Sequence, residues 1–208
     1  MNLSNKTFSD DLKQRLYVET QKQMRFNSHF SILIWTNEHN DFPLDLAQLG
    51  AKITWISTAE YIQKINQKTK EKNLKELKES ICFLPFSNFK IPNDSSKNFP
   101  YDFIYLGNFI NQLTYAAAGY LIEDLMQKLH IGGKIFIFLN GLNNENKKDY
   151  PHFKKNVRER FCPFKNEHFP VCLYYERDLN LLLLESGLSV LRSQQLKNGN
   201  IETIAVRI

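Results

Sequence analysis

No apolar run in the 208-residue sequence approaches the roughly 18 residues that a membrane span requires. The first residues, Met1 to Asp11, also lack the apolar core of a signal peptide. Cysteine is scarce: Cys82, Cys162 and Cys172 are the three present, an odd number in a chain too large for a disulfide scaffold. Together these absences predict a reducing, cytoplasmic setting with no membrane association. Charge of one sign is lacking as well. The 27 Lys and Arg stand against 22 Asp and Glu, a net charge of +5, and the two signs are interleaved along the chain. A pI near 9.0 therefore argues little for a nucleic-acid partner. There is no internal repeat and no low-complexity tract. What is present is an ordinary globular composition, 42% hydrophobic and 24% charged, which excludes general disorder. A chain of this length buries on the order of 70% of its unfolded surface without help from a metal or a disulfide.

The apolar pattern predicts alternating helices and strands. Ser9 to Phe26 carries Leu12, Leu16, Met24 and Phe26 among charged and amide residues, a helix with Ser9 as N-cap that precedes the main fold. Ser31 to Trp35 and Lys52 to Ile56 are short apolar runs of buried-strand type. Between them Phe42, Leu46 and Leu49 fall at helical intervals before Gly50. Ser57 and Glu60 have the spacing of a capping box, and Tyr61, Ile62 and Ile65 continue that helix. Ile81 to Phe86 is a third strand, Asn88 to Pro100 a loop and Tyr101 to Leu106 a fourth strand. Tyr115 to Leu129 is an amphipathic helix, and Lys134 to Leu139 a fifth strand behind a Gly132-Gly133 turn. Glu176 to Ser186 is helical, and the strands Leu188 to Gln195 and Ile201 to Ile208 join through Asn198-Gly199, a hairpin signal. Continuously apolar strands alternating with helices mean an α/β fold, doubly wound around a mostly parallel sheet and closed by an antiparallel C-terminal hairpin. The expected organisation is a helical segment over 1–27 and an α/β domain over 28–208. A polar, basic insertion at about 141–172 with its own helix near Phe153 to Phe161 interrupts that domain.

This layout resembles the class I S-adenosylmethionine-dependent methyltransferases, a Rossmann-like family. Ile32 to Ser57 aligns without a gap onto the family's strand, glycine loop, helix and second strand, with Leu46-Ala47 and Gly50-Ala51 carrying the match. Tyr101 to Leu106 is similar to the family's fourth strand, Leu129 to Ile137 to its glycine turn and fifth strand, and Glu176 to Val190 to its last helix and strand. The resemblance implies a cofactor site at the carboxyl ends of the first strands. The positions that would build it have changed. The acid that helps bind the methionine amine falls on Ile34, and the loop glycines fall on Thr36, Glu38 and Asn40. The carboxylate that holds the ribose falls on Ser57. A serine cannot accept two hydroxyls with charge-assisted strength, and side chains in the loop obstruct a close backbone approach. Asn108 follows the fourth strand where some family members carry Asp or Asn before two prolines and an aromatic, and no prolines follow it here.

The expectation is a methyltransferase-like protein with a decayed S-adenosylmethionine site, a non-catalytic binding or partner subunit for a protein or small molecule. One alternative is an active S-adenosylmethionine-dependent methyltransferase with an atypical cofactor loop, in which Glu38 pairs with the cationic cofactor and Glu60 reaches the ribose. Another is a nucleic-acid-binding module using Lys147, Lys148, Lys154, Lys155, Arg158, Arg160 and Lys165 with the aromatics between them. The acids Glu145, Asp149, Glu159 and Glu167 dilute that field and argue against it. Glu38 to Asp41 offers acid-base groups, but adjacent side chains on one turn do not converge, and a solvated helix cap at Asn40 or Asp41 is the simpler reading. His152, Cys162, His168 and Cys172 lack the short spacings of zinc ligands, so no metal is expected.

Overall fold

The computed structural model describes residues 11–36, 41–71, 80–85, 100–142, 162–163 and 170–208, without the side chains of 66–71, 85, 162–163 and 170–171. The first helix, α1, spans Asp11–Gln23. Then follow β1 (Ser31–Thr36), α2 (Phe42–Gln48), β2 (Lys52–Ser57), α3 (Ala59–Glu71), β3 (Ile81–Pro85) and β4 (Tyr101–Gly107). A 3-10 turn at Ile110–Gln112 leads to α4 (Tyr115–Gln127) and β5 (Leu129–Leu139). The short pair β6 (Cys162–Pro163) and β7 (Pro170–Val171), then α5 (Glu176–Glu185), β8 (Leu188–Gln195) and β9 (Ile201–Arg207), complete the order.

Seven strands form one sheet in the order β3-β2-β1-β4-β5-β9-β8. The first five are parallel, and β9 pairs antiparallel with both β5 and β8. The expected closing hairpin is therefore present, with β9 in its interior and β8 at the edge. The sheet direction of travel reverses between β1 and β4, so the topological switch point lies at the carboxyl ends of these two strands.

Strand parity divides the core in two. Leu33, Trp35, Ile104, Leu106, Ile135 and Ile137 face α4 and α5 in one buried cluster. Ile32, Ile34, Ile53, Trp55, Phe103 and Tyr105 face the other way, where Leu12, Leu16 and Tyr17 of α1 pack with Leu46 and Ala47 of α2. Alternate residues of strands covered on both faces are all apolar, which is why these runs show no polar alternation in sequence. The described part of the segment before residue 28 thus contributes Leu12, Leu16 and Tyr17 to the same core, with Met24 packed against it. Lys134 on β5 also pairs with Glu19 of α1 at 2.5 Å, both side chains half-buried.

Several boundaries differ from expectation. Helix α1 ends at Gln23, and Phe26 lies on the following turn, 89% exposed. Helix α4 ends at Gln127, and Leu129 already belongs to β5. Gly132-Gly133 is not a turn before that strand but a bulge inside it. Tyr101 pairs with Leu129 and Phe103 with Lys134, so two steps of β4 oppose five of β5. The expected cap at Ser57 is also displaced. Ser57 is the last residue of β2, and Thr58 caps α3, its hydroxyl accepting from the Tyr61 amide at 3.4 Å. Glu60 pairs instead with Lys64 at 2.8 Å on the exposed face. The loop expected over Asn88 to Pro100, apart from Pro100, and the helix near Phe153 to Phe161 lie outside the described residues. The described ends of the 141–172 segment enter and leave beside the 3-10 turn. There Asn111 donates to the carbonyls of Asn140 at 3.0 Å and Cys172 at 2.7 Å, and accepts from the Asn140 amide at 2.8 Å.

Candidate functional site

Open parallel sheets bind ligands in the crevice at the switch point, where the connections leave in opposite directions. Here that place is bounded by the ends of β1, β2 and β4. Thr36 and Gly107 are register partners on β1 and β4, and the Thr36 side chain is 2% exposed. It occupies the space that a side chain at Gly107 would need: a Cβ there would stand 2.6 Å from Thr36 Oγ1 and 3.1 Å from the Tyr105 ring. The two strands are therefore fitted together at the switch point by a hydroxyl side chain against bare backbone.

Ile34, two residues before Thr36 on the same face, is 0% exposed and sits among Phe42, Trp55 and Tyr105. Its position is core. Ser57 ends β2 at 1% exposure, and its Oγ has no hydrogen-bond partner among the described residues. Asn108 directly follows β4 in a left-handed conformation, φ 52°, which asparagine tolerates better than most residues. Its amide donates to the Phe138 carbonyl at 2.7 Å, continuing the ladder to β5, while its buried Oδ1 has no partner among the described residues. Phe109 then turns under the sheet and stacks on Trp35, ring centroids 4.3 Å apart at 25°. Glu38 and Asn40 lie outside the described residues.

Two further groups border this end, Asp41, read from the sequence as a helix cap, and Gly107, which sequence reasoning did not single out. Asp41 is the N-terminal boundary of α2, without a side-chain cap hydrogen bond. Its charge reaches Tyr61 of α3. Burial first, and Asp41 second, push the Tyr61 phenol up to about 12. Gly107 is the other, and the Leu-Gly-Asn run at the end of an apolar strand was the available signal for it. The described carboxyl ends thus hold two hydroxyls, one amide side chain and an isoleucine at Thr36, Ser57, Asn108 and Ile34, the positions that the resemblance singles out. The cationic amine and the ribose diol of S-adenosylmethionine each need an anionic or strongly accepting partner, so these residues do not fit that cofactor in the family's manner. Among the described residues no three His, Cys, Asp or Glu side chains assemble as a metal set, and no helix is long and apolar enough to cross a membrane.

No family model matches the sequence, and no curated protein sequence matches it either. The fold has many counterparts among solved structures. An S-adenosylmethionine-dependent methyltransferase from Clostridium acetobutylicum is 11% identical, with a TM-score of 0.68 over 96% of this chain and 92% of that one. A methyltransferase of the same description from Methanosarcina mazei is 16% identical, with a TM-score of 0.66 over 90% and 96%. The glycopeptide N-methyltransferase MtfA, solved with S-adenosylmethionine, is 14% identical, with a TM-score of 0.61 over 92% and 94%. The chain has the class I S-adenosylmethionine-dependent methyltransferase-like fold.

Proposed function

We propose that this chain uses the methyltransferase fold without the methyltransferase cofactor, as a non-catalytic binding or partner subunit. The observation that carries the reading is the packing of Thr36 against Gly107 at the switch point, where the family keeps glycine so that ligand can approach the backbone. The burial of Ile34 and Ser57 supports it, since the resemblance implies that these two stand where the cofactor's anionic anchors would be. Calorimetric titration with S-adenosylmethionine and S-adenosylhomocysteine tests it directly. The expected result is no saturable binding tighter than about millimolar, which corresponds to roughly −4 kcal/mol. Micromolar binding of either compound would overturn the proposal.

One observation favours a second reading, an active methyltransferase with an atypical cofactor loop acting on a small molecule or a protein. Ser57 Oγ and Asn108 Oδ1 are buried acceptors without partners among the described residues, at the ends of β2 and β4. Orphaned buried polar atoms are uncommon and ask for a donor. The same titration separates the readings, because this one requires binding by the wild-type protein.

A further inference from the structure

The opposite end of the sheet holds a cavity of about 610 Å³, within the range of roughly 300–1,000 Å³ typical of small-molecule sites. It lies where the strands begin. The buried residues Ile53 and Thr54 of β2 line it, together with Pro100 and Tyr101 at the start of β4. Three side chains able to donate a hydrogen bond come to its rim from separate stretches of chain: His29 before β1, Lys52 at the first position of β2, and His130 at the second position of β5. None of the three makes a side-chain hydrogen bond or ion pair among the described residues.

The carboxylate in this wall is already engaged. Asp102 Oδ2 accepts from the Ser31 amide at 2.7 Å and from the Ser31 hydroxyl at 3.3 Å, tying the starts of β1 and β4 together. The bulge in β5 serves the same place. It carries the chain at His130 to the rim while Gly133 lies against β4, where a Cβ would stand 2.8 Å from the Asp102 carbonyl and 2.9 Å from the His130 carbonyl. A bulge of this kind re-aims side chains beside binding sites. Donors uncommitted among the described residues around an apolar floor, with the acid of the described lining, Asp102, turned into the wall, favour a ligand that is anionic at one end and apolar at the other.

We propose that this cavity binds a small organic anion with a flat apolar body, of the aromatic carboxylate class, its carboxylate held by Lys52 and the two imidazoles and its ring resting on Ile53, Pro100 and Tyr101. The site is separate from the switch-point crevice. Lys52 and Ser57 open and close the six-residue strand β2, roughly 16 Å apart. The inference therefore does not depend on whether S-adenosylmethionine binds.

The test is a titration of the full chain with naphthoate, and with naphthamide as its neutral counterpart, followed by amide NMR shifts and calorimetry. Saturable naphthoate binding is expected, with shifts at Thr54, Asp102 and His130 and naphthamide about tenfold weaker, the worth of a hydrogen bond to a charged group. Lys52→Met should weaken naphthoate about tenfold with an unchanged melting curve. His130→Gln, also at an exposed position, is the second variant should the first fold poorly, and it should weaken binding in the same direction. Equal affinity for the acid and the amide, shifts confined to Ser57, Gly107 and Asn108, absence of saturation at millimolar naphthoate, or undiminished binding by the folded variants would each overturn the proposal.

Discussion

Adding one methyl group at Gly107 measures how closely the protein fills its own switch point. In Gly107→Ala the new Cβ would lie 2.6 Å from Thr36 Oγ1, 3.1 Å from Thr36 Cβ and 3.1 Å from Tyr105 Cε1. Ordinary carbon contacts lie near 3.5–4.0 Å, so all three neighbours must give way. They have little room to do so, since Thr36 is 2% and Tyr105 0% exposed. Overpacking of this kind costs about 1–3 kcal/mol, and replacing glycine returns roughly 0.4–1 kcal/mol by restricting the unfolded chain. The net expectation is a loss of about 1–2 kcal/mol, or several degrees in melting temperature for a chain of this size.

Urea unfolding followed by tryptophan fluorescence is the assay, because Trp35 and Trp55 are both fully buried and report on this half of the sheet. A double-mutant cycle assigns the loss to its cause. In the Thr36→Ala background the nearest atom, Oγ1, is gone, and the penalty of Gly107→Ala should shrink by about 1 kcal/mol. In the Thr36→Val background the branch remains and the penalty should persist. If Gly107→Ala is neutral, or costs the same whether or not the Thr36 branch is present, the two strands are not fitted together at this point. The proposal of a crevice closed by the protein itself would then lose its main support.

Three further outcomes follow from buried polar groups. Ser57→Ala removes an orphaned hydroxyl, so stability in the same urea assay should not fall and should rise by up to about 1 kcal/mol; a clear loss would reveal an unrecognised partner. Asn111→Ala removes the hydrogen bonds that its side chain makes to the Asn140 amide and to the Asn140 and Cys172 carbonyls and should cost about 3 kcal/mol, whereas a loss near zero would mean that the ends of the 141–172 segment are held by other contacts. Tyr61 titrates with a folded-state pKa raised to about 12 against an unfolded value near 10, so the folded state keeps its proton longer. Its contribution is complete below about pH 10 and is lost as pH rises toward about 12, and Tyr61→Phe should flatten that part of the stability curve; an unaltered alkaline slope would contradict the shift.

The strands and their mostly parallel character were legible because burial on both faces leaves a mark in the sequence. Ser31 to Trp35 and Tyr101 to Leu106 are apolar but for one residue each, and their alternation with helical segments points to a covered parallel sheet. The errors lie where local pattern and tertiary pairing compete. Gly132-Gly133 has the composition of a turn, but the pairing of Tyr101 with Leu129 draws the preceding residues into β5 and converts the turn into a bulge. Ser57 and Thr58 are both good helix caps. The pairing of Ser57 with Pro85 keeps it in the sheet and leaves the cap to Thr58. Asn111 carries no sequence signal at all, since its three hydrogen bonds reach residues 29 and 61 positions away.

Of the candidate site, the sequence shows substitutions but not volumes. The resemblance over Ile32 to Ser57 implies that Ile34 and Ser57 stand where the family has acids. Strand parity then places Ile34, Thr36 and Ser57 toward one face. What fills the space between them depends on β4, whose last residue is set beside Thr36 by pairing alone. A glycine at Gly107 would ordinarily suggest room for a ligand; next to Thr36 the same glycine makes room for a side chain. The amino-terminal cavity was invisible for the same reason. His29, Lys52 and His130 are unremarkable polar residues at three strand starts, and the parallel arrangement of β1, β2, β4 and β5 brings all their starts to one edge. A doubly wound sheet gathers residues from distant parts of the chain at both of its ends, and at the end where the strands begin it brings together His29, Lys52 and His130.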